Sequence, residues 1–347
     1  MKIQLTKRCI SINDPCFLIA EVGQAHDGSF ELAHSYIDAI AEAGADAVKF
    51  QTHIAEAEST KHEEFRVPDF FQDKSRFDYW KRMEFRTDQW ASLYDHANDV
   101  GLEFLSTPFS VEAVNLLENL GVKAWKLGSG DTTNSVLIEK LIETKKPILV
   151  SSGMSTYEEI DKIVNMIKKE KISYALLQCT TSYPCPPEEI GFNVIKNFIE
   201  EYDCPVGLSD HSGEIFPSLA AVTMGAKLIE VHVTFSKESY GPDVSSSLTF
   251  NQLKELSKGI NFLEKGLNLD IDKNKQSEIR KDTKKLFARS AFYCKKILKG
   301  EKLSREHIAM KKPGGGLDYE NAMSFIGKKV IYDKEVDDFI DSEDFNE

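Results

Sequence analysis

The chain alternates apolar, β-rich runs with helix-like stretches eight times. The runs are Cys16–Gly23, Ala47–Thr52, Glu103–Phe109, Ala124–Gly130, Pro147–Gly153, Tyr174–Thr180, Pro205–His211 and Leu228–Phe235. Between them lie stretches such as Glu31–Gly44, Ser110–Gly121 and Tyr157–Glu170. In the first of these, Leu32, Tyr36, Ile37 and Ile40 recur at helical spacing before Gly44. Near-continuous apolar strands need cover on both faces, and parallel strands joined by helices provide it. Eight such units predict an α/β fold, a closed (β/α)8 TIM barrel rather than an open sheet. One barrel takes roughly 250 residues, so a chain of 347 leaves a tail. The expected division is a catalytic barrel over residues 1–268, a charged linker or helical bridge over 269–286, and a small, mostly β domain over 287–347. That tail carries β-like runs at Ala291–Cys294 and Lys328–Tyr332 and turn glycines at Gly300 and Gly314–Gly316.

Charge narrows the function classes. A net charge of -13 weighs against nucleic acid or an anionic membrane as a partner, although a local lysine cluster can still hold an anionic substrate. No apolar run approaches the ~18 residues of a membrane span. MKIQLTKRCISIND has no apolar core of signal-peptide length. Six cysteines show no CxxC pairing, so a reducing, cytoplasmic setting is expected. The glycine runs at 128–130 and 314–316 lack GxGxxG or P-loop spacing, which excludes dinucleotide and ATP chemistry.

Active sites of such barrels gather at the C-terminal ends of the strands. Those ends read Glu21, Lys49 with Gln51, Thr107, Lys126 with Ser129 and Asp131, Ser151, Thr180 with Tyr183, Ser209–Asp210–His211, and His232. Two imidazoles on neighbouring strand ends, His211 and His232, can share one divalent cation, with Asp243 and Glu21 as further ligands or supports. A strand-end lysine is either a Schiff-base nucleophile or an anion clamp. Lys49 and Lys126, with Thr107, Ser129, Ser151 and Ser209 around them, fit a clamp for phosphate or carboxylate better. Glu21 can orient water, act as a general base, or simply balance Lys49. His26 and Asp27 are weaker candidates on the next loop. The connection from His53 to Arg86 is charged, aromatic and long enough to overhang the mouth as a lid. Its Arg66, Arg76 and Arg82 are candidates for a second cationic cluster.

In order and spacing, AEVGQAHDGS, AGADAVKFQT, LSTPF, WKLGSGD, SSGMST, QCTTSYPCPPEE, GLSDHS, EVHVTF and GPD resemble the sialic acid synthase family. The tail, ARSAFYCKKILKGEKLSREHIAMKKPGGGL, is similar to that family's SAF (antifreeze-like, β-clip) domain. The resemblance implies a transferase that condenses phosphoenolpyruvate with an N-acylated amino sugar. By default this is N-acetylmannosamine, giving N-acetylneuraminate and phosphate by C–O cleavage. Legionaminate or pseudaminate synthesis from a 2,4-diacetamido hexose is the near alternative, and a keto-acid-phosphate synthase acting on a sugar phosphate a more distant one. A binding protein on an inactive barrel is the rival from another class, and the strand-end lysines and histidines weigh against it. The resemblance further implies a divalent metal, Mn2+ by preference with Mg2+ or Co2+ as options, and a domain-swapped homodimer. It assigns the metal to His211 and His232, and phosphoenolpyruvate to Lys49, Thr107, Lys126, Ser129, Ser151 and Ser209. The sugar falls to Gln51, Asp131, Tyr183, Asp243 and Lys312, and catalysis to Glu21, Lys49, Lys126, His211 and His232. Three positions depart from the family pattern: Asp131 for glutamate, Thr181 for asparagine and Lys312 for arginine. All three bear on the sugar side.

Overall fold

The structure, a computed structural model, describes residues 1–66 and 72–345. It contains two compact units, Met1–Asn268 and Leu269–Glu347. In the first, eight parallel strands form the sheet: β1 (Phe17–Gly23), β2 (Ala47–Thr52), β3 (Glu103–Pro108), β4 (Trp125–Leu127), β5 (Ile148–Ser151), β6 (Tyr174–Cys179), β7 (Val206–Asp210) and β8 (Leu228–Thr234). The hydrogen-bonded order is β3-β2-β1-β8-β7-β6-β5-β4, and β3 and β4 lie side by side to complete the ring. Eight helices follow the strands in turn: α1 (Phe30–Ala43), α2 (Thr87–Asp99), α3 (Val111–Leu120), α4 (Ser135–Glu143), α5 (Tyr157–Lys169), α6 (Phe192–Glu201), α7 (Phe216–Thr223) and α8 (Phe250–Leu267). The expected TIM barrel is therefore present.

Local chemistry sets the helix limits. Ser29, Ser110, Asn134, Thr156 and Thr249 each accept a backbone N–H in the first turn of the helix they precede. At the other end, α1 stops where Gly44 turns left-handed (φ 82°).

Side-chain parity decides what each strand contributes, because successive residues point to opposite faces. Leu18, Ala20 and Val22 of β1, Val48 and Phe50 of β2, and Ile229, Val231 and Val233 of β8 face outward into the main core under the helices. The alternate residues Phe17, Ile19, Ala47, Leu105, Leu149, Leu177 and Leu228 fill the barrel interior. A short antiparallel hairpin, Lys2–Gln4 with Cys9–Ser11, adds Ile3, Leu5 and Ile10 to that interior cluster. The lower barrel is thus a packed apolar plug. The same parity, continued upward, turns Glu21, Lys49, Thr107, Lys126, Ser151, Ser209 and Glu230 inward.

The long connection after β2 is not structureless. It contains helices Ala55–Glu58 and Arg76–Met83, with Ala55, Tyr79, Trp80 and Met83 buried together. Four aromatic or apolar groups close in sequence suffice for a satellite core. Its three arginines do not form a cationic cluster, because each is ion-paired: Arg66 with Asp243, Arg76 with Glu63, and Arg82 with Asp27 and Asp73. Residues 67–71 of this connection lie outside the described ones.

In the second unit, the charged segment forms two short helices, Lys273–Ile279 and Lys281–Phe287. Strands β9 (Ser290–Tyr293) and β10 (Ile308–Lys311) pair antiparallel. Ala291, Tyr293, Ile297, Leu303, Ala322, Val330, Ile340 and Phe345 form the core of this unit. The run Lys328–Tyr332, expected to be β, makes only isolated bridges. Lys329 pairs with Lys302 and Val330 with Phe345, so the partner changes after one residue and no ladder grows.

Candidate active site

A cavity of about 370 Å³ opens at the C-terminal ends of the strands and reaches the first layer of inward polar side chains. On its floor, the Lys49 ammonium lies 2.5 Å from Glu21 Oε2 and 3.8 Å from Glu230 Oε1, and donates to Thr107 Oγ1 at 3.1 Å. Lys126 Nζ lies 3.4 Å from the same Glu230 oxygen and donates to Ser151 Oγ at 2.6 Å. Ser209 Oγ also donates to Glu230 Oε1, at 3.0 Å. Burial disfavours the charge on Lys49, but Glu21 and then Glu230 outweigh it and hold the ammonium above its ordinary range. Burial likewise opposes ionisation of Glu230, and Lys126 and Lys49 overcome it, pushing that carboxyl down to about 2. Two ammoniums and two carboxylates therefore share a nearly dry floor whose formal charges sum to zero.

His211 and His232 stand across the cavity with ring centroids 5.3 Å apart. His211 Nδ1 donates to the Thr180 carbonyl at 3.0 Å, which leaves the Nε2 lone pair free. Burial, and then His232, lower His211 to about 4, so its ring is neutral at physiological pH. Gly23, at a register shift in β1, has φ 54°, and a Cβ there would lie 3.3 Å from the His232 ring. A side chain there would press on that ring. Asp243 approaches the same point but is held by Arg66 at 2.6 Å. Although burial opposes its charge, His232 and Arg66 keep it below the usual carboxylate range. Among the described residues, no three histidine, cysteine or carboxylate groups are gathered as a metal cage. Two imidazoles instead suit a cation whose other positions are taken by water and substrate oxygens.

The upper wall comes from loops. Tyr183 packs on His211 (centroids 4.3 Å) and under the Arg66 guanidinium (4.2 Å). Gln51 Nε2 donates to Glu21 Oε1 at 2.9 Å. Asp131 lines the cavity, holds the Asn134 amide at 3.0 Å and is raised by burial. Ser129 meets Thr181 at 3.3 Å near the rim. His26 is buried against Phe85 with centroids 4.7 Å apart, while Asp27 is tied to Arg82. Neither lines the cavity. Lys312 belongs to the second unit, where its ammonium lies over the Phe287 ring at 5.2 Å.

Sequence reasoning passed over Glu230, Gln24, His53, Glu58, Glu63 and Trp80, all of which line the cavity. Glu230 was accessible, because it sits two residues before His232 on one strand and so shares its face. The insertion residues carry no such periodic signal.

Residues 36–271 match the NeuB family. The chain belongs to that family. It is 33% identical to N,N'-diacetyllegionaminic acid synthase of Campylobacter jejuni, over 93% of this chain and 98% of the relative. It is 32% identical to the human N-acetylneuraminate-9-phosphate synthase, over 96% and 93% of the two chains. A crystal structure of N-acetylneuraminic acid synthetase from Leptospira borgpetersenii superposes with a TM-score of 0.72 at 31% identity. The match covers 82% of this chain and 96% of that one. As a NeuB-family member, the chain is an enzyme, a synthase of nonulosonic acid biosynthesis. Among its described residues, no helix is long and apolar enough to cross a membrane.

Proposed function

We propose that this synthase condenses phosphoenolpyruvate with open-chain N-acetylmannosamine to give N-acetylneuraminate and phosphate. The observation that carries the reading is the pair of buried ammoniums on the floor, ringed by Thr107, Ser151 and Ser209 and facing the imidazoles of His211 and His232. Lys49 and Lys126 attract the donor's phosphate and carboxylate, and hydroxyls here and on Ser129 fill the remaining oxygen lone pairs. Because the floor charges already cancel, a multiply anionic donor needs added positive charge. A divalent cation on His211 and His232, Mn2+ by preference, fits that requirement. When bound, such an ion polarises the acceptor's carbonyl oxygen.

C3 of phosphoenolpyruvate forms a bond to the acceptor's aldehyde carbon, whose oxygen takes a proton. The cation developing at C2 then adds water oriented by Glu21, whose carboxylate receives the water's proton. Phosphate departs from the resulting tetrahedral centre with its bridging oxygen and the proton of the C2 hydroxyl, leaving the 2-keto acid. Gln51, Asp131, Tyr183 and Asp243 align the sugar. Lys312 reaches a partner subunit's sugar in a domain-swapped homodimer, the tail being an SAF domain, and the enzyme works in the cytoplasm.

A second acceptor, a 2,4-diacetamido hexose, is favoured by the likeness to a legionaminic acid synthase over nearly its whole length. The two are separated by measuring phosphate release from phosphoenolpyruvate with Mn2+ and each acceptor, a sugar phosphate, or none. Sugar-dependent release abolished by EDTA is the expected result. Release with no acceptor at all, or with the sugar phosphate alone, overturns the proposal.

A further inference from the structure

A small cavity of about 60 Å³ lies at the other end of the barrel from the active site, where the chain entering β1 and β2 meets α8 and the loop of the N-terminal hairpin. Glu264 of α8 lines it and is 9% exposed, yet its two carboxylate oxygens are placed very differently. Oε1 accepts the Cys16 backbone N–H at 2.8 Å. Oε2 is buried and has no hydrogen-bond partner among the described residues. A buried carboxylate oxygen without a partner is strongly unfavourable. A proton on Oε2 does not relieve it, because the resulting hydroxyl finds no acceptor among those residues either.

The neighbouring side chains offer oxygen rather than hydrogen. Arg8 directs its guanidinium to Asp46 Oδ1 at 2.7 Å and to the carbonyls of Pro15 and Cys16. Ser257 Oγ gives its one hydrogen to the Gly44 carbonyl at 2.7 Å, which leaves its lone pairs free. Asn261 turns its amide NH2 to the Ser257 carbonyl at 2.9 Å, so Oδ1 is its uncommitted end. Water needs donors as well as acceptors; a hard cation needs oxygen acceptors alone. The charge points the same way. Two carboxylates, Glu264 and Asp46, line the cavity against one guanidinium, and the nearby Lys227 ammonium is directed to the Asp14 carbonyl. Burial first, then Glu264 and Asp46, hold the Cys16 thiol above its ordinary range against the weaker influence of Lys227 and Arg8. The surplus is one negative charge, which a monovalent ion neutralises and a divalent one overshoots.

We propose that this cavity binds one alkali cation, K+ or Na+, through Glu264 Oε2, Ser257 Oγ and Asn261 Oδ1. Its place in the fold gives the ion a structural task. Cys16 leads into β1, Gly44 and Asp46 lead into β2, and Glu264 stands on the helix that follows β8. The site therefore straddles the seam where β1 pairs with β8 and the ring closes. Groups at this face of a barrel serve stability rather than chemistry, and the ion fastens α8 to the start of the sheet. The inference stands apart from the condensation reading and does not depend on it.

Thermal unfolding of the full chain tests this, with EDTA present to remove divalent metal and at equal ionic strength in KCl, NaCl or choline chloride. Choline, a quaternary ammonium, presents no bare charge to these oxygens. A ligand of the native state at about 100-fold over its dissociation constant raises the melting temperature by roughly 5–10 °C. A gain of that order in KCl or NaCl over choline chloride is expected, and the salt with the larger gain names the ion. Glu264→Gln keeps the volume, removes the charge and is expected to erase the difference between salts. Asn261→Ala, on the exposed side of α8, is expected to shrink it and keeps the test available if Glu264→Gln does not fold. Equal melting temperatures in all three salts overturn the proposal, since water then suffices for Oε2. A difference undiminished in either variant overturns it as well, because the ion then binds elsewhere.

Discussion

Replacing Glu230 by glutamine removes one charge and almost no volume from the floor. Lys49 keeps Glu21 at 2.5 Å, but Lys126 has no other carboxylate within 4.0 Å among the described residues. Breaking a buried pair by removing one partner costs about 3–5 kcal/mol. The lower end applies, because Lys126 retains its hydrogen bond to Ser151. At 2–4 °C per kcal/mol for a domain of this order, about 3 kcal/mol lowers the melting temperature by roughly 6–12 °C. Thermal unfolding of both proteins in an anion-free buffer measures this directly. Saturating inorganic phosphate supplies a second arm. Phosphate should stabilise E230Q more than the wild type, since the two ammoniums no longer share a fixed counter-charge. A melting temperature within about 1 °C of wild type, or equal stabilisation by phosphate, would refute the argument that Glu230 holds the lysines electrostatically.

Two further expectations follow from groups beside the floor. His26 is lowered to about 3, first by burial and then by His53 and Arg82. Its folded value lies below its unfolded one, so its contribution is complete above pH 6.5 and is lost as pH falls from there toward 3, at about 1.4 kcal/mol per pH unit. Urea midpoints measured between pH 7 and 4 should fall less steeply in His26→Gln than in the wild type; equal slopes would count against a buried neutral ring. Gly23→Ala places a Cβ 3.3 Å from the His232 ring on a left-handed residue. A loss of about 1–2 kcal/mol is expected from the backbone alone, together with weaker Mn2+ binding by calorimetry. Unaltered metal affinity would show that His232 has room to spare.

The barrel was legible because its strands are covered on both faces and its helices are amphipathic, so two different periodicities alternate along the chain. The floor was legible for a related reason: strand ends are registered, and parity assigns every second residue to the interior. Glu230 shares the inward face of β8 with His232 and is legible by the same parity. The insertion was harder. What places His53 between Trp80 and Phe109 is a fold-back across more than fifty residues, and aromatic or charged spacing there follows no period. Arg66, Arg76 and Arg82 looked like a cationic cluster because their acidic partners, some as distant in sequence as Asp243, are invisible to a linear reading. In the tail, a run that looked β by composition found no partner segment long enough to pair with.

The closure of the ring has a consequence for how the chain is made. Phe17 of β1 pairs with Leu228 of β8, so the first strand to leave the ribosome waits for the last. At 5–20 residues per second, the intervening stretch takes roughly 10–40 s to synthesise. Throughout that interval one edge of β1 is unpaired, and its inward residues Phe17 and Ile19 have only the hairpin residues Ile3, Leu5 and Ile10 and the strands made so far to pack against. A hairpin that nascent chain already carries can shield those side chains long before the barrel exists. The plug is then a cotranslational guard on the growing sheet as well as part of the finished core.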